Sequence, residues 1–292
     1  MKNLIKISLI LVILLVGCSN TTTVDIVKEN YKTEIVFVDD NSAIDEIIEP
    51  TSNDSHSDII EYKSSEILES EEKAEIEAET VEVFSKVNWP VKFESQAPHT
   101  NWELPYQEAC EEAALILVEK YFTDDNLDAD IMDQEIKDLV DWQNETWGFY
   151  TDISLNEAKL IADVYFGLNT VISEQVTVDY MKYQLAEGNL IIVPTYGRVL
   201  GNENYTGDGP IYHFLVIRGY DSNQFITNDV GTRNGENYKY KYNTLINAVH
   251  DLPIDEEGEP IRLYDEEMID DEKVELIQKG QKKMLIITGF AQ

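Results

Sequence analysis

Two cysteines occur in 292 residues, and one of them stands where a thiol could do chemistry. Cys110 lies in "HTNWELPYQEACEEAALILVEKYF", inside the opening turns of a helix expected from Pro105 to Phe122. A thiol attacks as its thiolate, and three conditions favour that form: a helix N-terminus, a neighbouring imidazolium and partial exposure. Glu111 and Glu112 work against it, because nearby anions raise a thiol pKa. At 100° per residue they are expected to point away from the Cys110 face at modest cost.

The second condition asks for a histidine. Of four, His56 falls in an acidic stretch, His99 in a polar loop and His250 at the end of a short helix. His213 opens the apolar strand "HFLVIRGY", where an imidazole needs a reason to be. That strand runs through "GYDSN" into "QFITND". A hairpin centred on Asp221 would set Asp229 directly across from His213 on one sheet face, where a carboxylate can orient the ring. A register slip would replace Asp229 with Asn228. Attack on a carbonyl also needs donors for the developing oxyanion. The Cys110 N–H is one, and Gln96 and Gln107 compete to be the second.

The elements that must carry these groups read as α+β. Helices are expected at 105–122, 133–147, 154–166 and 177–186, with Ser154 and Glu157 spaced as a capping box. Strands are expected at 189–196, 213–220, 224–229, 238–242 and 283–290, with an extended run at 91–96 and a short helix at 243–251. Helices first and strands after argue a helical part packed on an antiparallel sheet rather than alternating βα units. Residues 252–280 read as an acidic surface excursion.

Upstream, "MKNLIKISLILVILLVGCSN" has a basic start, an apolar core and Leu15-Val16-Gly17-Cys18, and it is too short and too early for a spanning helix. It resembles a bacterial lipoprotein signal, 1–18, with Cys18 as the lipidated residue. That implies export and a lipid anchor on the outer face of the membrane, and it leaves Cys110 as the mature chain's single thiol. Residues 19–88 are rich in Glu, Asp, Ser and Thr and poor in aromatics, and are read as a disordered tether. A flexible coil of that length reaches roughly 45–50 Å. All four tryptophans lie beyond residue 88, so 89–292 is expected to be the folded domain.

The formal net charge of −35, from 57 acidic and 22 basic residues, argues against nucleic acid as a partner. A monomer is expected. No cofactor is expected: no Cys/His cluster suggests zinc and no Gly-rich loop cradles phosphate. "DDNLDADIMDQE", 124–135, has the oxygen spacing of a calcium loop but carries Ala129 where the turn needs glycine, so acidic residues capping the next helix are the plainer reading.

"SQAPHTNWELPYQEACEEAALILV", "PTYGRVLGN", "GPIYHFLVIRGYD" and "FITNDVGTRNGENY" together resemble the C-39-like cysteine peptidases, relatives of the bacteriocin leader-processing enzymes within the papain-like superfamily. The resemblance covers about residues 90–290. It implies a papain-like α+β fold, with Cys110 as nucleophile, His213 as general base and acid, Asp229 as orienting group and Gln96, over Gln107, as the oxyanion glutamine. The leader-processing enzymes have glycine after the cysteine and glutamine six residues before it. Here Glu111 and Leu104 stand there, so leader specificity is not implied. The expected substrate is a peptide or protein, with peptidoglycan stem peptides as the alternative and a non-catalytic binding module as the other reading.

Overall fold

The computed structural model describes residues 85–263 and 268–291. The expected lipoprotein signal with Cys18 and the expected tether up to residue 84 lie outside the described residues. Among the described residues no helix is long and apolar enough to cross a membrane.

The helical part comes first, as the residue pattern requires. Helix α1, Cys110–Thr123, is buried on all sides rather than along one stripe: Ala113 through Val118 are wholly inaccessible. Such a helix must be enclosed, and it packs on the sheet and against α2, Ala129–Trp147. Helix α2 is amphipathic, burying Met132, Ile136, Leu139 and Gln143. Asp128 caps it by accepting the Ile131 N–H, and Gly148 ends it in the left-handed region at φ 80°. The Asp128 cap fits the plainer reading of 124–135. Lys92 Nζ donates to the carbonyls of Asp124 and Asp125, and among the described residues no three His, Cys, Asp or Glu side chains are grouped to hold a metal.

Helix α3, Leu155–Leu160, opens with the expected capping box, Ser154 to the Glu157 N–H and Glu157 back to the Ser154 N–H. It then widens into a π turn over Ile161–Tyr165 and stops at Gly167, φ 68°. The expected helix to residue 166 therefore gives way to a strand that its sequence did not announce, β2, Leu168–Ser173. Strand β2 is an edge strand with one exposed face, so its apolar residues are too few for a clear period. Helix α4, Val178–Ala186, follows with Thr177 as its cap.

The sheet runs β2-β7-β3-β4-β5-β6, all antiparallel, and β1, Val87–Asn88, pairs with β4. Its further strands are β3 (Leu190–Tyr196), β4 (Tyr212–Tyr220), β5 (Gln224–Asn228), β6 (Tyr238–Lys241) and β7 (Met284–Phe290). Strand β4 is central, and all nine of its residues are buried. Strand β3 covers one side of β4 up to Ile217, and β1 continues that side at Gly219 and Tyr220. Pairing thus begins two residues before the expected domain start. Residues 91–96 join no ladder. Two short helices, α5 (Gly197–Leu200) and α6 (Tyr242–Ala248), flank β3 and β6. Helix α7, Asp270–Ile277, occupies part of the stretch read as irregular and buries only Ile277. One buried face of the sheet carries Phe214 and Val216 of β4 against α1, and the other carries Leu215 and Ile217 with α4 and α6.

The β4–β5 hairpin holds the detail that matters for function. Near the turn Tyr220 faces Phe225 and Gly219 faces Ile226; farther on Ile217 faces Thr227 and Val216 faces Asn228. Arg218 is the extra residue of a bulge. Its guanidinium is buried and donates to Trp89 O at 2.7 Å, Val91 O at 2.9 Å and Asn228 Oδ1 at 3.1 Å. Arg218→Met keeps the bulk but removes three buried charge-assisted hydrogen bonds, so urea unfolding should show a loss of about 2–4 kcal/mol, with partial recovery in Arg218→Lys.

Candidate active site

Residues 106–108 form a separate 3₁₀ turn, and α1 begins at Cys110 itself. The thiol therefore sits on the first helical residue, where the helix dipole favours an anion. Strand β5 stops pairing at Asn228, opposite Val216, and beyond that point the N–H of Phe214 donates to Cys110 Sγ at 3.4 Å.

The expectation that Glu111 points away from the thiol is corrected. Cys110 Sγ donates to Glu111 Oε2 at 3.0 Å, and Glu111 Oε1 accepts the Ile153 N–H at 3.3 Å. Helical period fixes the direction in which a side chain leaves the axis, but Glu111 has two methylenes with which to turn toward the Ile153 amide, and that path brings its carboxyl past the sulfur. Glu112 is buried too, and accepts Gln143 Nε2 at 2.7 Å. Burial first, and the Glu111 charge second, push the Cys110 thiol well above its ordinary range, and the Phe214 N–H only partly offsets them.

His213 and Asp229 meet, though by a different register from the one expected. Continuing the observed ladder sets Asp229 opposite Leu215, not His213. The difference is two residues, so the face is unchanged and Asp229 lies diagonal to His213. Without the extra residue at Arg218, Asp229 would fall opposite Val216 on the wrong face. His213 Nε2 lies 2.8 Å from Asp229 Oδ1, and both side chains are almost wholly buried. Asn228, the alternative partner, instead donates to Val91 O and Lys92 O.

Asp229 is held by more than the imidazole. Gly231 N–H donates to Oδ1 at 3.1 Å, and Tyr205 Oη, Asn202 Nδ2 and Tyr240 Oη donate to Oδ2. Burial pushes this carboxyl up, but His213 and the two phenols outweigh it and hold the group down at about 2. Sequence reasoning missed Tyr205, Asn202 and Tyr240. Tyr240 alone carried a signal, as one of the alternate residues of "YKYKY". A Cβ on Gly231 would come 2.8 Å from His213 Cε1, so only glycine fits against the ring.

Cys110, His213, Gln96 and Gln107 line one cleft of about 800 Å³. Gln96 is buried, and its Nε2 donates to Tyr106 O at 3.0 Å and Gln107 O at 3.1 Å. The Gln107 side chain is engaged at the surface, donating to Glu108 Oε1 at 3.1 Å. Neither hydrogen bond of the sulfur goes to His213. His99 pairs with Asp130 at 3.1 Å, and His250 faces the Ala248 carbonyl.

Behind the thiol lie three buried carboxyls. Burial leads in each: it raises Glu111 well above the usual range, with Glu112 and Asp152 adding to it, and it raises Glu112 and Asp152 to about 7. Arg262 partly offsets the rise at Asp152. These folded values exceed the unfolded ones, so folding takes up protons between them. The favourable contribution is full below the unfolded values and is lost as pH rises through about 7. Chemical unfolding should therefore show stability falling from about pH 5 to about pH 8, by roughly 1.4 kcal/mol per pH unit for each proton involved. Glu112→Gln should flatten the slope.

Residues 89–251, more than half of the chain, match the Peptidase_C39 like family. A crystal structure of a C39-like peptidase from Bacillus anthracis is similar at 14% identity and a TM-score of 0.39, over 71% of this chain and 99% of that one. No curated protein matches. The chain belongs to the Peptidase_C39-like family, whose activity is that of a cysteine peptidase-like hydrolase.

Proposed function

We propose that the protein is an extracytoplasmic thiol hydrolase that cleaves peptide amide bonds and is held to the membrane by a lipid on Cys18. Cys110 is the nucleophile. His213, with Nε2 committed to Asp229, takes the thiol proton on Nδ1 and returns it to the leaving amine. Asp229 fixes the tautomer and supports the imidazolium. The Cys110 N–H stabilises the oxyanion, joined by the Gln96 amide once its Nε2 turns from the Tyr106 and Gln107 carbonyls. Water then releases the acyl group.

The observation that carries this reading is that the thiol and His213 border one cleft, with the buried Asp229 bonded to His213 behind it, in a chain of a peptidase family. Peptidoglycan stem peptides would be cut by the same chemistry. The non-catalytic alternative has its own support in the thiol's bond to Glu111.

A peptide-library digest run beside a muropeptide digest distinguishes the substrates, and Cys110→Ala should abolish cleavage of whichever is cut. His213→Ala should lower the rate about 10²–10⁴-fold. Gln96→Ala should lower kcat about 10²–10³-fold, while Gln107→Ala leaves it near wild type. No cleavage of either pool by the wild-type chain would favour the binding module. Cys18→Ser should move the protein out of the membrane fraction.

A further inference from the structure

We propose that Glu111 is a positioning residue of this site, a built-in restraint that keeps the proton of Cys110 on the sulfur and turned away from His213. The inference rests on reading Cys110 as the nucleophile. It comes from how the two groups are partnered. Glu111 is 1% exposed and Cys110 7% exposed. One carboxyl oxygen accepts the Ile153 N–H, and the other accepts the thiol at 3.0 Å. Among the described residues no lysine or arginine is hydrogen-bonded to Glu111. Its charge is carried by two donors, and one of them is the nucleophile.

A thiolate at this position would face a carboxylate at contact distance inside the protein, and two buried anions so close do not coexist. Thiol and carboxyl therefore hold two protons below the raised Glu111 titration, where the restraint is released, and one proton above it. The thiol is the weaker acid, so the proton stays on sulfur and the carboxylate accepts it as a hydrogen bond. Attack requires the S–H to leave Glu111 and pass its proton to His213, or Glu111 to be protonated first. No oxidant or further reactant is involved. The other titratable groups facing this pair are Glu112 on α1, Tyr150 and Asp152 in the loop that follows α2, and Tyr212 on β4.

The test uses the full chain carrying Cys18→Ser, which leaves a single thiol, and reads iodoacetamide alkylation of Cys110 against pH. Glu111→Gln should lower the midpoint by at least about one pH unit and so speed alkylation at neutral pH about tenfold or more. An unchanged or higher midpoint overturns the restraint. Should that variant fail to fold, the S–H stretching band of the unsubstituted site decides. A band lowered in frequency on the alkaline side of the Glu111 titration, returning toward the free-thiol position on acidification, supports the restraint; a free-thiol band or no band throughout the pH range below the thiol's own titration overturns it. His213→Ala separates this from the proposed function. If it leaves the alkylation profile unmoved while Glu111→Gln lowers it, the restraint stands and the triad fails. If it moves the profile and Glu111→Gln does not, the triad stands and the restraint fails.

Discussion

A single extra residue decides which groups can meet at the end of this sheet. Strands pair with a period of two, so one inserted residue exchanges the two faces for everything beyond it. Arg218 is that residue. It brings Asp229 to the His213 side and leaves Asn228 on the side of the segment around Val91 and Lys92. A bulge tends to relax if nothing holds it. Here the bulged side chain is itself the fastener, committing its donors to Trp89, Val91 and Asn228. Sheet parity, the N-terminal segment and the carboxylate behind the imidazole are thus one mechanical unit.

The two halves of the site are built on opposite electrostatic terms. Asp229 is buried among donors and remains charged. Glu112 and Asp152, behind the thiol, are buried with few donors and little positive charge, and are pushed up to about 7 instead. The start of a helix lends Cys110 a favourable field, but that effect is worth about 0.3–1 kcal/mol at an exposed end, and desolvation in a closed site exceeds it. The same residue type, a carboxyl, is on one side an anchor for the imidazole and on the other the acceptor of the thiol's hydrogen bond.

The sequence made much of this readable. The α+β order, the capping box at Ser154, Thr177 at the head of α4 and the strand runs at 189–196 and 213–220 all follow from period and capping chemistry. His213 was conspicuous because an imidazole interrupted an apolar strand. The register expected of a hairpin centred on Asp221 differs from the observed one by two residues and still joins the right pair, because an even shift preserves the face. What could not be read is tertiary. The donors on Asp229 come from residues 202, 205, 231 and 240, brought together only when the strands pair. The Glu111 contact depends on the Ile153 amide 42 positions away. Strand β2 and helix α7 carry too little periodic burial to stand out from loops.

The way the chain enters the fold has a further consequence. Val87 and Asn88 zip onto the far end of β4, and the carbonyls of Trp89 and Val91 are the ones gripped by Arg218. Tension applied to the polypeptide upstream would therefore load the Val87–Tyr220 and Asn88–Gly219 pairs first and the bulge next. Any tug strong enough to peel off those few residues would leave the guanidinium with Asn228 Oδ1 alone and free the bulge on whose parity the position of the imidazole's carboxylate depends.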